Sequence, residues 1–359
     1  MSNAWSPRGL ECGAVIYGDG GVSNLSFHRE GKYLLMTTKD SAVHLIDAHD
    51  GTEKKKLHTR KNQIGSAVYT HHEACVLLSS DSEQGQNNDI NYLCMHDNRY
   101  LRHFKGHTDK VTSLAMNPTE DKFISSSNDG SVMLWSINCP TPIAKLKLPG
   151  NIQNPKVCID GTGCVFGVQV QDSRTELHSI KLFDVRAYEK ESFQDAVPDY
   201  PVLQSAVQKG MVAAGIEAPS KGDIKSVLDT VWDGFSFAPN GKSILVNTCS
   251  DLILLLEDSP ECNVEPLAIC SRKNDTGNAL GACYSADSKH VICGDEDGEV
   301  QVYELNWTDT KKSATFVNSL TGHVDPVSKV AANPVYDVIA SGCVNTALWV
   351  RNSTSMDTE

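Results

Sequence analysis

The sequence predicts an all-β fold, a seven-bladed β-propeller, on three observations. A short strand-like run, usually closed by an acidic residue, recurs seven times along the chain. Two further strand-like segments precede most of these runs and another follows, so a unit holds four short strands. Only ten residues follow the last run, which leaves its unit one strand short. Four strands in a repeat of about 45 residues are typical of a propeller blade.

The recurring run alternates apolar and polar residues, as a half-buried strand does. Its spacing can be measured on the bulky residue near each end: Ile46, His96, Trp135, Phe183, Leu256, Tyr303 and Trp349. The intervals are 50, 39, 48, 73, 47 and 46 residues. The fourth interval therefore holds one unit plus an insertion.

The other strands of a unit are recognised from the turns around them. Turns rich in Pro, Asn, Asp and Gly precede an apolar second strand, as in residues 117–124 and 239–246. The alternating segment 111–116 predicts a first strand, and 143–148 predicts the fourth, outer strand.

The last blade needs its outer strand from elsewhere in the chain. Segment 12–17 is the natural donor, because pairing the N-terminal strand into the last blade covers an open sheet edge. We therefore expect one propeller domain over residues 12–350, an insertion at 195–223 between blades 4 and 5, and a flexible tail at 351–359.

Composition excludes several classes of protein. The net charge of −13 makes direct binding to nucleic acid or an anionic membrane unfavourable, and no apolar stretch is long enough for a transmembrane helix. The twelve cysteines contain no Cys-x-x-Cys pair, so we interpret them as small buried side chains in a reducing compartment. No metal site or cofactor is expected.

One unit carries a recognisable motif. Its residues are Gly106-His107, Asn128-Asp129-Gly130 and Trp135, with a poorer copy in Gly322-His323 and Trp349. These resemble the WD40 repeat, and the resemblance implies a buried hydrogen-bonded tetrad of His107, Ser125, Asp129 and Trp135. Buried imidazole and indole N–H groups need such partners. At the Asp position the seventh unit has Cys343, so its tetrad is expected to be incomplete, like those of units 2, 4 and 5.

A longer stretch narrows the resemblance. Residues 90–124 contain His-Asp-Asn, then Phe-x-Gly-His-Thr, then Asn-Pro-x-Glu-Asp, and resemble the family of WD repeat-containing protein 82, the WD40 subunit of COMPASS. Residues 180–188, 240–246 and 340–349 also fit this family. The resemblance implies a non-catalytic subunit of a nuclear complex: a COMPASS-type histone lysine methyltransferase, or a protein phosphatase 1 and RNA 3′-end-processing complex in transcription termination. It also implies contact with the phosphorylated C-terminal repeat of RNA polymerase II.

Two sets of surface residues are candidates for binding. Phosphate recognition favours clustered Arg and Lys, and the basic candidates are Lys54, Lys55, Lys56, Arg60 and Lys61, with Arg99, Arg102 and Lys105. The alternative, which the sequence favours for Lys54 to Lys61, is a charged outer edge strand that discourages aggregation. Candidates in loops that precede a first strand are Thr108, Asp109, Lys110 and Asp325, which are otherwise solvated loop residues.

Two other functions stay open. Asp184-Val185-Arg186 is the Asp-x-Arg of cullin-type ubiquitin-ligase substrate receptors, although three residues are a weak match. A propeller enzyme is the second alternative, since His107, Asp129 and Ser125 are also the residue types of a hydrolase triad. The tetrad explains the same residues, so no enzymatic activity is expected.

Overall fold

The strands that the structure describes form seven sheets, the arrangement of a seven-bladed β-propeller. The computed structural model describes residues 7, 9–59, 63–81, 88–150, 152–171, 177–188, 192–198, 231–257, 263–264, 266–307 and 312–351. Over these residues the chain is all-β, without an α-helix, so the predicted fold class is confirmed. No helix in the described part is long and apolar enough to cross a membrane.

Two compact units make up the chain, and blades are numbered by their order in the sequence. One unit comprises residues up to Phe104, Leu280–Leu305 and those from Thr315 onward. It opens with strand β1 (Leu10–Ile16). Blade 1 contains β2 (Val22–Phe27), β3 (Tyr33–Thr38), β4 (Ala42–Asp47) and β5 (Glu53–His58). Blade 2 contains β6 (Gln63–Tyr69), β7 (Cys75–Asp81), β8 (Ile90–Cys94) and β9 (Arg99–Phe104).

The second unit comprises Lys105–Ala279 and Asn306–Ala314. Blade 3 contains β10 (Val111–Met116), β11 (Lys122–Ser127), β12 (Ser131–Ser136) and β13 (Ala144–Lys147). Blade 4 contains β14 (Lys156–Ile159), β15 (Val165–Gln171), β16 (His178–Asp184) and β17 (Gln194–Pro198). Blade 5 contains β18 (Trp232–Phe237), β19 (Ser243–Thr248), β20 (Leu252–Glu257) and β22 (Pro266–Ser271), while β21 (Asn263–Val264) pairs with β17.

The remaining strands form blades 6 and 7, which belong to the first unit except for residues 306–314. Blade 6 contains β23 (Ala282–Tyr284), β24 (His290–Gly294), β25 (Glu299–Trp307) and β26 (Lys312–Thr321). Blade 7 contains β27 (Lys329–Ala332), β28 (Val338–Gly342), β29 (Thr346–Arg351) and the N-terminal strand β1. Strand β1 pairs antiparallel with β29, from Leu10 opposite Arg351 to Ile16 opposite Thr346. The predicted pairing of the N-terminal strand in the last blade is therefore confirmed.

Burial explains why the second strands are rich in apolar residues. Strands β19, β24 and β28 are buried at every position, because a middle strand is covered on both faces. The outer strand β9 exposes four of its six residues, and the outer strand β5 exposes three of six.

The recurring run is the third strand of each blade, but its anchor in blade 2 is misplaced by the sequence. Trp135 pairs with Phe123, and the corresponding pair in blade 2 is Leu93 with Val76. His96 lies beyond the end of β8 and is exposed. An exposed turn histidine follows this strand directly, so spacing alone selects the wrong bulky residue.

The limits of the insertion and of the tail also differ from the prediction. Residues 195–198 belong to strand β17, whose Asp195 pairs with Lys181 of β16, and the rest of the predicted insertion lies outside the described residues. Arg351 belongs to β29, and the residues after it also lie outside. That residues 12–350 form one domain stays a prediction.

Cysteine burial is more varied than the sequence suggests. The described cysteines are all free thiols. Five are buried, but Cys12, Cys139 and Cys164 are exposed, so the expectation of uniformly buried side chains is wrong. Cys12 lies in an outer strand, and Cys139 and Cys164 lie beside turns, where side chains are less covered than in the apolar runs around Cys75 and Cys293.

A side chain in the turn after the first strand fastens neighbouring blades. Asn333 of blade 7 donates its amide to the carbonyl of Gly31 in blade 1, at 2.8 Å. In the second unit Asn117 does the same to Gly163, at 2.9 Å. Both glycines have positive φ, 72° and 74°, a conformation that glycine adopts without strain. The Asn-Pro dipeptides at 117 and 333 mark these contacts in the sequence, but only as turns.

Candidate functional site

The structure brings the four tetrad residues of blade 3 together. Nε2 of His107 lies 2.7 Å from Oγ of Ser125, and the Trp135 indole N–H donates to the same oxygen at 2.8 Å. Nδ1 of His107 lies 3.1 Å from the Asp129 carboxylate. Trp135 and Ser125 are fully buried. The four side chains therefore link the loop before β10, strands β11 and β12, and the turn between those two strands.

Asp129 also holds the turn in which it lies. Its carboxylate accepts the backbone N–H of Thr108 at 3.0 Å and that of Ser131 at 2.9 Å. Burial alone would raise the pKa of Asp129, but hydrogen bonds from His107, Ser131 and Thr108 outweigh it and hold the pKa well below its usual range. The carboxylate is therefore ionised throughout the physiological range.

This geometry argues against a hydrolase triad in blade 3. Ser125 has no exposed surface and its oxygen already accepts the Trp135 N–H. A nucleophilic serine must reach a substrate, and Ser125 is held inside the blade. The residues that resemble a triad thus have a structural arrangement. Among the described residues, no group of three or more His, Cys, Asp or Glu side chains is placed to hold a metal ion.

Blade 7 contains a second version of the tetrad, with a thiol in place of the carboxylate. Nε2 of His323 lies 2.6 Å from Oγ of Ser341, which also accepts the Trp349 N–H at 2.6 Å. Nδ1 of His323 lies 3.0 Å from Sγ of Cys343. Burial lowers the pKa of His323. The sequence predicts an incomplete tetrad here. In the structure His323, Ser341 and Trp349 are arranged as in blade 3, and the Cys343 sulfur takes the place of the carboxylate.

The loop candidates divide between the two units. Thr108, Asp109 and Lys110 are exposed in one loop of blade 3. Its backbone is held by the Thr108 N–H on Asp129 and by the Ser127 hydroxyl on the Asp109 carbonyl, at 2.9 Å. Asp325 is half-buried in the loop before β27, in the other unit. The tetrad therefore presents the blade 3 loop in one conformation.

The lysines of β5 have neighbours that offset their charge. Lys54 lies 3.4 Å from Asp47 and 3.6 Å from Asp50, and Lys56 lies 3.1 Å from Asp19. Lys55 donates to the carbonyl of His96 in blade 2. This arrangement favours a charged outer strand over a phosphate site at Lys54 and Lys56. Arg60 and Lys61 lie outside the described residues.

The second basic group lies on the outer strand of blade 2. Arg99 and His103 are exposed on β9 and Arg102 is half-buried. Tyr100 and Leu101 between them are about half exposed, at 48% and 50%. The surface of β9 thus combines cationic and apolar side chains. Lys105 is exposed just after the strand, in the second unit.

Comparison with known proteins agrees with this fold. The model of the WD domain, G-beta repeat, matches residues 98–136, which contain the whole blade 3 tetrad. The chain is 28% identical to WD repeat-containing protein 82 of Drosophila melanogaster, over 92% of this chain and 91% of that protein.

Two fungal relatives extend the comparison. The chain is 27% identical to the Set1 complex component swd2 of Schizosaccharomyces pombe, over 84% of this chain and 76% of the relative. It is 25% identical to the COMPASS component SWD2 of Saccharomyces cerevisiae, over 94% and 91%. The chain is therefore a seven-bladed β-propeller with one matched WD40 repeat, and it is similar over most of its length to WD repeat-containing protein 82 and to these Set1 and COMPASS components.

Proposed function

We propose that the protein is a non-catalytic scaffold subunit of a nuclear COMPASS-type histone lysine methyltransferase complex. The similarity to a COMPASS component along nearly the whole of both chains carries the proposal. A likeness confined to one blade would indicate only a WD40 repeat, whereas this one extends over 94% of this chain. The buried tetrad of blade 3 supports a scaffold, because it stabilises a loop and leaves no reactive group exposed.

Purification of the tagged full-length chain from nuclear extract, followed by quantitative mass spectrometry, tests this function. We expect a SET-domain methyltransferase and its other subunits among the enriched proteins. Enrichment of protein phosphatase 1 with RNA 3′-end-processing factors would instead assign the chain to a termination complex. A nuclear extract in which neither set is enriched over an untagged control would contradict the proposal.

A ubiquitin-ligase receptor is the alternative that the same experiment decides. Asp184 and Arg186 are exposed around the buried Val185, so the Asp-x-Arg motif is accessible. This function predicts a cullin adaptor in the purified material, lost in the Arg186→Ala variant. Recovery of a methyltransferase complex that is indifferent to this substitution excludes it.

We further propose that the outer strand of blade 2 contacts the phosphorylated C-terminal repeat of RNA polymerase II. Arg99 and Arg102 supply cationic groups, while Tyr100 and Leu101 supply exposed apolar surface for the rest of a peptide. Guanidinium groups bind phosphate in a bidentate manner and suit this task.

Replacing both Arg99 and Arg102 by alanine should weaken binding of a doubly phosphorylated heptad-repeat peptide by roughly tenfold or more, since two charge-assisted contacts are lost. Fluorescence anisotropy at constant salt measures this. The matched control is the Lys54→Ala, Lys56→Ala variant, whose lysines already face Asp47 and Asp19, and its affinity should stay within about twofold. Equal losses in both double variants would indicate non-specific attraction and contradict a site on β9.

A further inference from the structure

The two most exposed large apolar side chains of the described residues, those of Val324 and Tyr17, lie at one end of blades 6, 7 and 1, and Val344 is exposed at the same end. Tyr17 is 76% exposed, Val324 is 87% exposed and Val344 is 43% exposed. All three lie where a second strand turns into a third, or where one blade's outer strand leads into the next blade. Contiguous exposed apolar groups often mark an interaction site.

Close contacts join these turns into one surface. Nδ1 of His323 lies 3.0 Å from Sγ of Cys343, so the valines that follow them, Val324 and Val344, lie on touching turns. The Val344 carbonyl is 3.4 Å from the position a Cβ on Gly18 would occupy, which brings Tyr17 beside it. We call the turns 17–21, 39–41, 295–298, 322–326 and 343–345 the apolar–acidic edge.

Blade 6 and blade 1 complete this edge. The carbonyls of His323 and Asp325 lie 2.4 Å and 3.3 Å from where a Cβ on Gly298 would be, so the 295–298 turn packs against the 322–326 loop. The backbone N–H of Lys39 donates to the Gly21 carbonyl at 3.0 Å. Larger side chains at Gly298 would collide with the loop, and glycine is what permits the close packing.

Charge on the apolar–acidic edge is strongly one-sided. Its five turns contain one lysine, Lys39, and six carboxylates: Asp19, Asp40, Asp295, Glu296, Asp297 and Asp325. Asp19 lies 3.1 Å from Lys56, and buried Asp295 accepts the Glu299 N–H at 2.8 Å. Asp297 is exposed and Asp325 half-buried, on the two turns that meet beside Val324. This surface repels acidic peptides and attracts cationic ones.

We propose that the apolar–acidic edge docks a partner segment that combines aliphatic with basic side chains. The proposal rests on the scaffold role proposed above and names the chemistry of one of its partners. Aliphatic groups cover Tyr17, Val324 and Val344, and Lys or Arg side chains face Asp297 and Asp325. A few central apolar contacts rimmed by complementary charge are the usual basis of such recognition.

Photo-crosslinking in nuclear extract tests this surface directly. p-Benzoylphenylalanine placed at Tyr17 of the full-length chain should capture a segment rich in Lys or Arg and in Leu, Ile, Val or Met. The matched control places the same residue at Tyr336, which is 48% exposed in the turn between β27 and β28, at the opposite end of blade 7. Capture of the same segment from both positions would overturn the proposal.

Variants of the apolar–acidic edge test whether the crosslinked segment is bound by its apolar and acidic side chains. Val324→Glu and Asp325→Lys should each reduce the crosslink from position 17 by roughly tenfold, because one removes an apolar contact and the other reverses a charge. Val335→Glu, at a site 57% exposed in the turn opposite, should leave it within about twofold. An acidic captured segment, a second copy of this chain, or a crosslink indifferent to both variants would overturn the proposal.

The two proposals fail separately. A basic, aliphatic segment captured in an extract from which no methyltransferase or termination factor is purified supports the docking surface and counts against the assigned complex. A purified methyltransferase complex without a specific crosslink at position 17 supports the complex and counts against the docking surface.

Discussion

Replacing Ser125 by alanine is expected to lower the free energy of unfolding by about 3 kcal/mol, because the buried Trp135 N–H loses its acceptor and the buried Nε2 of His107 loses the hydroxyl that bonds to it. The serine oxygen takes the Trp135 indole N–H at 2.8 Å and lies 2.7 Å from His107. The alanine methyl group forms no hydrogen bond, and the space left by one oxygen atom is too small for a water molecule. Urea unfolding followed by tryptophan fluorescence measures the change.

Ser127 on the same strand provides the matched control. It is equally buried, but its hydroxyl donates to the Asp109 carbonyl at 2.9 Å and accepts the Asp129 backbone N–H at 3.1 Å, and both bonds are only partly buried. Ser127→Ala should therefore cost only about 1 kcal/mol, because water can replace the lost hydroxyl at partly buried backbone groups but not at the buried side chains around Ser125. Equal destabilisation by the two substitutions would show that the tetrad adds nothing beyond burial of a hydroxyl group.

Below about pH 6.5 the free energy of unfolding of the first unit should fall more steeply with decreasing pH than protonation of its carboxylates alone would cause. Burial lowers the pKa of four histidines there: His28, His44, His290 and His323. These side chains stay neutral when folded and take up protons when unfolded. Their contribution is complete above the ordinary histidine pKa of 6.5 and is lost as the pH falls below it. Each adds up to about 1.4 kcal/mol per pH unit.

His28 offers the cleanest test. Burial is the main cause of its lowered pKa, and the His71 carbonyl, Glu30 and Glu73 oppose the effect, whereas Arg29 adds to it. Its Nδ1 accepts the Glu30 N–H at 3.3 Å, as the amide oxygens of Asn117 and Asn333 do in the same turn of blades 3 and 7. Asparagine therefore fits this position without a titrating group.

Between pH 7.5 and 5.5 the His28→Asn variant should take up about one proton fewer on unfolding than the wild type, so its free energy of unfolding should depend less steeply on pH. The free energy of unfolding, taken from urea titrations at several pH values, gives the slope. His49→Asn, at an exposed position, should keep the wild-type slope. If the slope of His28→Asn matches that of the wild type, the buried ring of His28 does not contribute to acid sensitivity.

Local patterns in the sequence were sufficient for much of the fold. The third strands follow from their alternation of apolar and polar residues, and the apolar segment 12–17 offered an N-terminal strand for the last blade. The members of the blade 3 tetrad follow from the resemblance of that unit to the WD40 repeat. Where a turn interrupts the repeat, as between Cys94 and His96, spacing alone selects the wrong residue.

The candidate sites were harder to predict because they depend on contacts between distant residues. The run of lysines at 54–56 reads as an open basic patch, yet Asp19, 37 positions before Lys56, lies beside that lysine. Similarly, the Asn333 amide reaches Gly31, 302 positions away. The apolar–acidic edge gathers turns from residues 17 to 345, and none of them is unusual by itself.

By itself the sequence determined the class of fold, the repeat, the pairing of β1 with β29 and the relationship to WD40 proteins of the COMPASS type. The fold class and the repeat depend on periodicity and turn chemistry, which act over a few residues, whereas the relationship follows from the resemblance of longer segments such as residues 90–124. Only the tertiary structure decided which charges are offset, that the Cys343 thiol contacts His323 in blade 7 and which apolar side chains stay exposed. Charge compensation and exposure depend on neighbours that folding brings from far along the chain, and no local pattern records them.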